Sequence, residues 1–192
     1  GTKDSNVAKN LLKQRYDQLP NAILNAEKIG LNHGAALYPM VTANGEECHN
    51  EWEITFEEIH RNAAIAQAIK KYLNFSNDNE FMINKGIKIL IAISRFWEQR
   101  VNYSNALNKY VILGVTGPNE YENNVDNNWY TNYSAKWCLE YTNETLKEIA
   151  DSNLDHYKKI LNETSLEKTE ISNWDKIINN IYLPYCKDLD VF

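Results

Sequence analysis

ILIAISRFWEQR, residues 89–100, decides the fold class. Ile89, Ile93 and Trp97 make a stripe at helical spacing, and Phe81 extends it backward. Ile87, Leu90, Ile91 and Phe96 spread apolar surface around much of the remaining circumference. A helix apolar on several sides is buried between partners, not laid on a surface. The reading is therefore a long buried helix, capped at Asn77 or Asp78 and ending near Arg100, with other helices around it.

Those neighbours are found by working outward. Residues 5–19 carry Val7, Leu11, Leu12 and Leu19 at helical positions, with Ser5 as cap. Pro20 restarts a short helix that Gly30 ends. Thr55-Phe56-Glu57-Glu58 fits a capping box, followed by Ile59, Ala63, Ala66, Ile69 and Tyr72. A helix from about Asn128 to Ala150 holds Tyr130, Trp137, Leu139 and Tyr141. Ser152 starts the next, and Ser172-Asn173-Trp174-Asp175 another. Two long loops interrupt the series, 31–53 and 101–127, the second with a short strand at 110–114. Paired helices joined alternately by short turns and long loops can close into a helical barrel with the long loops at one end. An open bundle or a solenoid fits the same spacing.

Composition removes several classes of function. The chain has 192 residues and a formal charge of −6, with no basic stripe, which argues against nucleic acid as a partner. No apolar run reaches membrane-spanning length, and the first residues hold no apolar signal region. Cys48, Cys138 and Cys186 are few, odd in number and far apart, so a reducing cytoplasm is expected and a disulfide framework is not.

Candidate chemistry sits in the two loops. GVTGPNEYENNVDNNWYTN, residues 114–132, places Glu120 in a turn-rich segment with interleaved rings, amides and acids. Rings stack on sugar faces, amides and acids hold hydroxyls, and an acid can protonate a leaving oxygen. An Asn-rich surface connection has the same composition. The first loop concentrates acids around His49, Asn50 and Trp52. Cys48, His49 and His60 lack the second cysteine pair and the tight spacing of a zinc site. Adjacent Cys48 and His49 are badly disposed for a nucleophile–base pair. A structural role, satisfying buried carbonyls, is the preferred reading of both His49 and His60. There is no glycine-rich phosphate loop after a strand.

Three stretches together change this reading: HGAALYPMVTANGEECHNEWEITFEEIHRN at 33–62, ILIAISRFWEQR at 89–100 and YVILGVTGPNEYENNVDNNWYTNYSAKWCLEY at 110–141. Their order and spacing resemble the inverting disaccharide phosphorylases of glycoside hydrolase family 65, over nearly the whole chain. The resemblance leans toward members acting on maltose; relatives act on trehalose, kojibiose and nigerose. It implies an all-α fold, with residues 1–192 an internal piece of a catalytic (α/α)6 barrel. The family's β-sandwich and C-terminal β domain would lie outside it.

The resemblance also implies roles. Glu120 matches the general acid of a GP-[DN]-E-[FYW] motif, with Asn119 where many members carry Asp. Tyr121, Asn127 and Asn128 would shape the pocket. His49, Asn50 and Glu51 align with the loop that contacts the acceptor-side sugar. Inorganic phosphate would be the nucleophile and maltose would give β-glucose 1-phosphate and glucose, with no metal or organic cofactor. The donor-sugar clamp and the phosphate-binding residues would lie outside this chain, leaving it inactive by itself, and full-length relatives are commonly homodimers. An inverting hydrolase using Asp126 as base and a non-catalytic sugar-binding domain are the alternatives.

Overall fold

The computed structural model describes residues 4–49 and 52–190. Its helices are α1 (Ser5–Asp17), α2 (Leu19–Glu27), α3 (Trp52–Glu57), α4 (Arg61–Ser76), α5 (Asn79–Phe81), α6 (Ile87–Arg100), α7 (Trp129–Ser152), α8 (Leu154–Thr164) and α9 (Lys168–Asn180). A π-helical turn, Met82–Gly86, joins α5 to α6, so residues 79–100 form one continuous helical run. Strands β1 (Asn102–Ser104) and β2 (Lys109–Val111) pair antiparallel, with Tyr103 opposite Tyr110.

Helix α6 occupies the position its composition demands. It packs against α1, α2, α4, α7, α8 and α9. Every residue from Ile89 to Trp97 is buried. Burial of a side chain such as Phe96 is worth about 1.5–3 kcal/mol. Two polar residues of this run are accommodated by partners. The hydroxyl of Ser94 donates to Thr142 Oγ1 at 2.9 Å. The guanidinium of Arg95 forms an ion pair with Glu170 at 2.7 Å and donates to the Thr164 carbonyl at the end of α8. Helix α1 leaves Val7 and Leu11 exposed, at 58% and 60%.

Several helix starts differ from the sequence expectations. Asp4, not Ser5, caps α1, accepting from the Asn6 N–H at 2.9 Å. Asp78 caps α5, the second of the two predicted candidates. Asn153, not Ser152, caps α8 through the Asp155 and His156 N–H groups. Helix α9 begins before Ser172: Glu167 and Glu170 form a reciprocal capping box there. Ser172 lies inside the helix and donates to the Lys168 carbonyl. At α1 and α8 a neighbouring side chain of the same capping chemistry takes the free N–H groups, and at α9 the glutamate pair does so.

The predicted capping box at 55–58 is the larger correction. Thr55 and Glu57 lie in the last turn of α3, and the long helix begins at Arg61. Arg61 enforces the break. Its guanidinium donates to the carbonyls of Thr55 at 2.6 Å, Glu58 at 2.8 Å and Tyr38 at 2.7 Å. Carbonyls left free at a helix end are thus satisfied by a side chain from the next helix.

Candidate active site

The loop before α7 is fastened at several points. Val115 and Val125 exchange two backbone hydrogen bonds of 2.9 Å. Glu57 holds the loop against α3: its Oε2 accepts from Thr116 Oγ1 at 2.5 Å and from the Asn124 N–H at 2.9 Å. Asp126 Oδ1 accepts from the Gly114 N–H at 3.0 Å. Asn124 and Asn127 adopt left-handed backbone, at φ 54° and 57°, which Asn tolerates better than most residues. Gly117 is required by close approach: a Cβ there would sit 2.5 Å from Asn128 Nδ2. The loop carries Glu120 in an exposed turn at residues 120–121.

Opposite this turn lies the break between α3 and α4. Glu58 is only 8% exposed, and its Oε1 has no hydrogen-bond partner. Its carboxyl lies within hydrogen-bond reach of Glu120. Burial, then the Glu120 charge, pushes the Glu58 pKa up; Arg61 and His49 act in the opposite direction. Arg61 is itself pulled down to about 10 by burial, against the pull of Glu47 and Glu58, and stays charged at neutral pH. His60 stacks edge-on against Tyr130 at 5.6 Å, and its buried Nδ1 has no partner. Burial lowers the His60 pKa; the Thr116 carbonyl and Glu120 oppose that, while Arg61 reinforces it.

The first long loop reaches the same place. Asn62 of α4 pins its start, accepting from the Tyr38 N–H at 3.0 Å and donating to the Ala36 carbonyl at 2.9 Å. Glu47 organises the turn that follows, accepting from the Met40, Val41 and His49 N–H groups at 2.7, 3.1 and 3.1 Å. Burial works to raise the Glu47 pKa, but these N–H groups and Arg61 prevail and lower it. His49 is thereby brought close enough for its charge to act on Glu58. A cavity of about 410 Å³ opens beside the cluster, lined among others by Glu58, Arg61, Tyr38, Pro39 and Arg15. A larger one, about 720 Å³, is lined by Arg95, Glu98 and Glu170. Its acids are already engaged, Glu170 by Arg95 and Glu98 by the Trp174 indole N–H at 2.7 Å.

Of the residues singled out in the sequence, Glu120 meets Glu58, and His49 acts on Glu58 only electrostatically. Asn50 and Glu51 lie outside the described residues. Tyr121 is 96% exposed beside Glu120. Asn127 Oδ1 accepts from the Ile112 N–H and from Asn132 Nδ2, both at 3.2 Å. Asn128 Oδ1 caps α7 through the Thr131 N–H at 3.1 Å. These two amides hold the framework that carries Glu120. Glu58 and Arg61 carried no reading as site residues, and His60 was weighed only as a poor zinc ligand or a structural histidine. Their only sequence signal was a Glu-Glu pair beside His and Arg, which read as an ordinary helix start. Among the described residues no group of three or more His, Cys, Asp and Glu side chains is placed to hold a metal ion. No described helix is long and apolar enough to cross a membrane.

Helices packed around a buried central helix, with a fastened loop bringing one carboxyl against another, are the architecture expected of part of a helical-barrel domain. The glycosyl hydrolase family 65 central catalytic domain matches residues 1–192, and the chain belongs to that family. It is 51% identical over its full length to maltose phosphorylase of Bacillus subtilis, covering 24% of that protein. It is 39% identical to α,α-trehalose phosphorylase of Thermoanaerobacter brockii over 96% of its length, again covering 24% of the relative. A solved structure assigned as a kojibiose phosphorylase, from the human microbiome, superposes with a TM-score of 0.86 at 30% identity. The match covers 96% of this chain and 26% of that one. The chain thus spans about a quarter of the length of these relatives.

Proposed function

We propose that this chain is part of an inverting disaccharide phosphorylase acting on maltose, with Glu120 as general acid. The observation carrying this reading is the contact of Glu120, presented by the fastened loop before α7, with the buried Glu58 at the break before α4. In the reaction an oxygen of inorganic phosphate attacks the anomeric carbon from the face opposite the leaving group. The bond from that carbon to the glycosidic oxygen breaks. The Glu120 carboxyl proton passes to that oxygen, giving β-glucose 1-phosphate and glucose. Maltose is favoured because the 51% identity with maltose phosphorylase exceeds 39% with trehalose phosphorylase and 36% with kojibiose phosphorylase.

An inverting hydrolase is the competing reading, and it is disfavoured because the relatives above are phosphorylases. Inverting hydrolases separate their two carboxyls by about 6.5–9.5 Å to admit a water. Glu58 lies within hydrogen-bond reach of Glu120, too near for that arrangement. Asp126, the base that reading would use, ties one oxygen to the Gly114 N–H in the loop framework.

Assay of the full-length protein with maltose, with and without phosphate, tests the reading. Glucose release that requires phosphate and is matched by β-glucose 1-phosphate is expected. Phosphate-independent release would indicate a hydrolase, and binding without turnover a sugar-binding domain. The 192-residue chain alone is expected to be inactive, because an acid without a positioned nucleophile and donor sugar supplies little catalysis. In the complete protein, replacing His49 or Glu51 should alter discrimination among maltose, trehalose and kojibiose more than phosphate affinity. Loss of one hydrogen-bond partner at a buried hydroxyl costs about 1–3 kcal/mol.

A further inference from the structure

We propose that Glu58 and Glu120 work as one proton-sharing pair, with Glu58 a positioning residue that stores the proton Glu120 delivers. This rests on the reading of Glu120 as general acid. Three features of Glu58 support it. The side chain sits where α3 is broken from α4, so it is not part of a regular helical face. It is 8% exposed, yet Oε1 has no donor. Its carboxyl meets that of Glu120. A buried carboxylate with one oxygen lacking a donor, facing a second carboxylate, is unfavourable unless a proton lies between them. A single shared proton removes the like-charge contact.

The surroundings are asymmetric in a way that suits transfer. Among the described residues, the charged and titratable groups acting on Glu58 are Glu120 from the loop before α7, Arg61 from α4 and His49 from the first long loop. Those facing Glu120 include Glu58 and His60. Burial holds the proton on Glu58 while the exposed Glu120 is open to solvent. Arg61 and His49 stabilise the Glu58 anion once the proton leaves. A sugar seated over Glu120 excludes water there and favours the neutral form of Glu120. The proton then moves from Glu58 to Glu120 and from Glu120 to the glycosidic oxygen. Both carboxyls are left ionised, and the pair regains one proton from solvent after product departs. No oxidant or further reactant is needed.

The two groups then titrate as a unit, and the alkaline limb of the phosphorolysis profile reports loss of the shared proton. In the full-length protein, Glu58→Gln should move that limb to lower pH by about one unit or more. The turnover number at neutral pH should fall while KM for maltose stays within about threefold. Glu58→Asp keeps an ionisable group but withdraws it by one methylene, so it should move the limb part of the way. It decides the matter alone if Glu58→Gln does not fold. A limb that stays in place in the folded variants would overturn the proton-sharing role. Glu120→Gln separates the two claims. If that variant keeps near-normal maltose phosphorolysis, the general-acid reading has failed. If it is inactive and the Glu58 variants keep the parental limb, only the present inference has failed.

Discussion

Asp78 follows helix α4 and Glu58 precedes it, and the two carboxylates are held in opposite ways. Asp78 is satisfied on both oxygens. Oδ1 accepts from the Phe81 N–H at 3.0 Å, and Oδ2 accepts from the Tyr72 hydroxyl at 2.6 Å and Lys9 Nζ at 2.7 Å. The Lys9 and Tyr72 hydrogen bonds hold its carboxyl at about 2, well below the usual range. Glu58 is more deeply placed and less well served: one oxygen lacks a donor, the other side of the contact is an acid, and its pKa is raised. Saturating a carboxylate with donors makes it a structural tie. Burying one against another acid makes a proton holder, at some expense of stability.

The sharpest test of this contrast is at the site. Glu120→Gln in the complete protein keeps shape and removes the transferable proton, so maltose phosphorolysis should fall by roughly 10²–10⁴-fold. An aryl glucoside with a good leaving group should lose less. Near-normal turnover would erase the distinction between the two kinds of carboxylate.

Next in size is the loop framework. Gly117→Ala puts a methyl 2.5 Å from Asn128 Nδ2 and so displaces either the loop or the α7 cap. A displacement of about 1 Å can cost as much as 100-fold in rate, and activity should fall by roughly 10- to 100-fold without a change in which disaccharide is preferred. Unchanged kinetics would mean that the fastening of this loop does not control Glu120.

Asp78→Ala should do the reverse, lowering stability by about 1–2 kcal/mol at neutral pH with kcat per folded molecule unaltered. The sign with pH follows from the depressed pKa. The stabilisation is complete above the ordinary carboxylate value of 3.8 and is lost as pH falls through about 2. Parent and variant should therefore converge in unfolding midpoint in strong acid. A constant gap between them would show that packing, not charge, makes the tie.

The smallest effect is expected for stability at Glu58. Because its folded pKa is raised, the folded state holds the proton longer than the unfolded one. Native stability is reduced as pH rises past the ordinary carboxylate range. Glu58→Gln should raise the melting temperature at neutral pH and lose that gain near pH 4. Destabilisation at neutral pH would move Glu58 into the same class as Asp78.

Much of the scaffold was legible in local sequence. The apolar run around Ile89–Trp97 announced a buried helix, and Pro20, Gly30 and Asp78 marked boundaries that the structure keeps. Glu120 stood out because the residues that present it, from Gly114 to Asn128, are contiguous. Helix starts slipped by a few residues wherever two capping side chains compete nearby, as with Ser152 and Asn153. Thr55–Glu58 misled for a deeper reason. The same four residues satisfy a helix start or a helix end, and Arg61, reaching back to Tyr38 as well, selects the end.

The sequence by itself determined the helical class, the central place of α6, and the loop that bears Glu120, because each depends on periodicity or on neighbours along the chain. Only the tertiary structure decided that Glu57 fastens that loop while Glu58, one residue on, turns toward Glu120. Adjacent acids are equivalent in a string of letters. They become different when the break before α4 gives one of them the Thr116 hydroxyl and the Asn124 N–H as donors, and leaves the other buried against a second carboxyl.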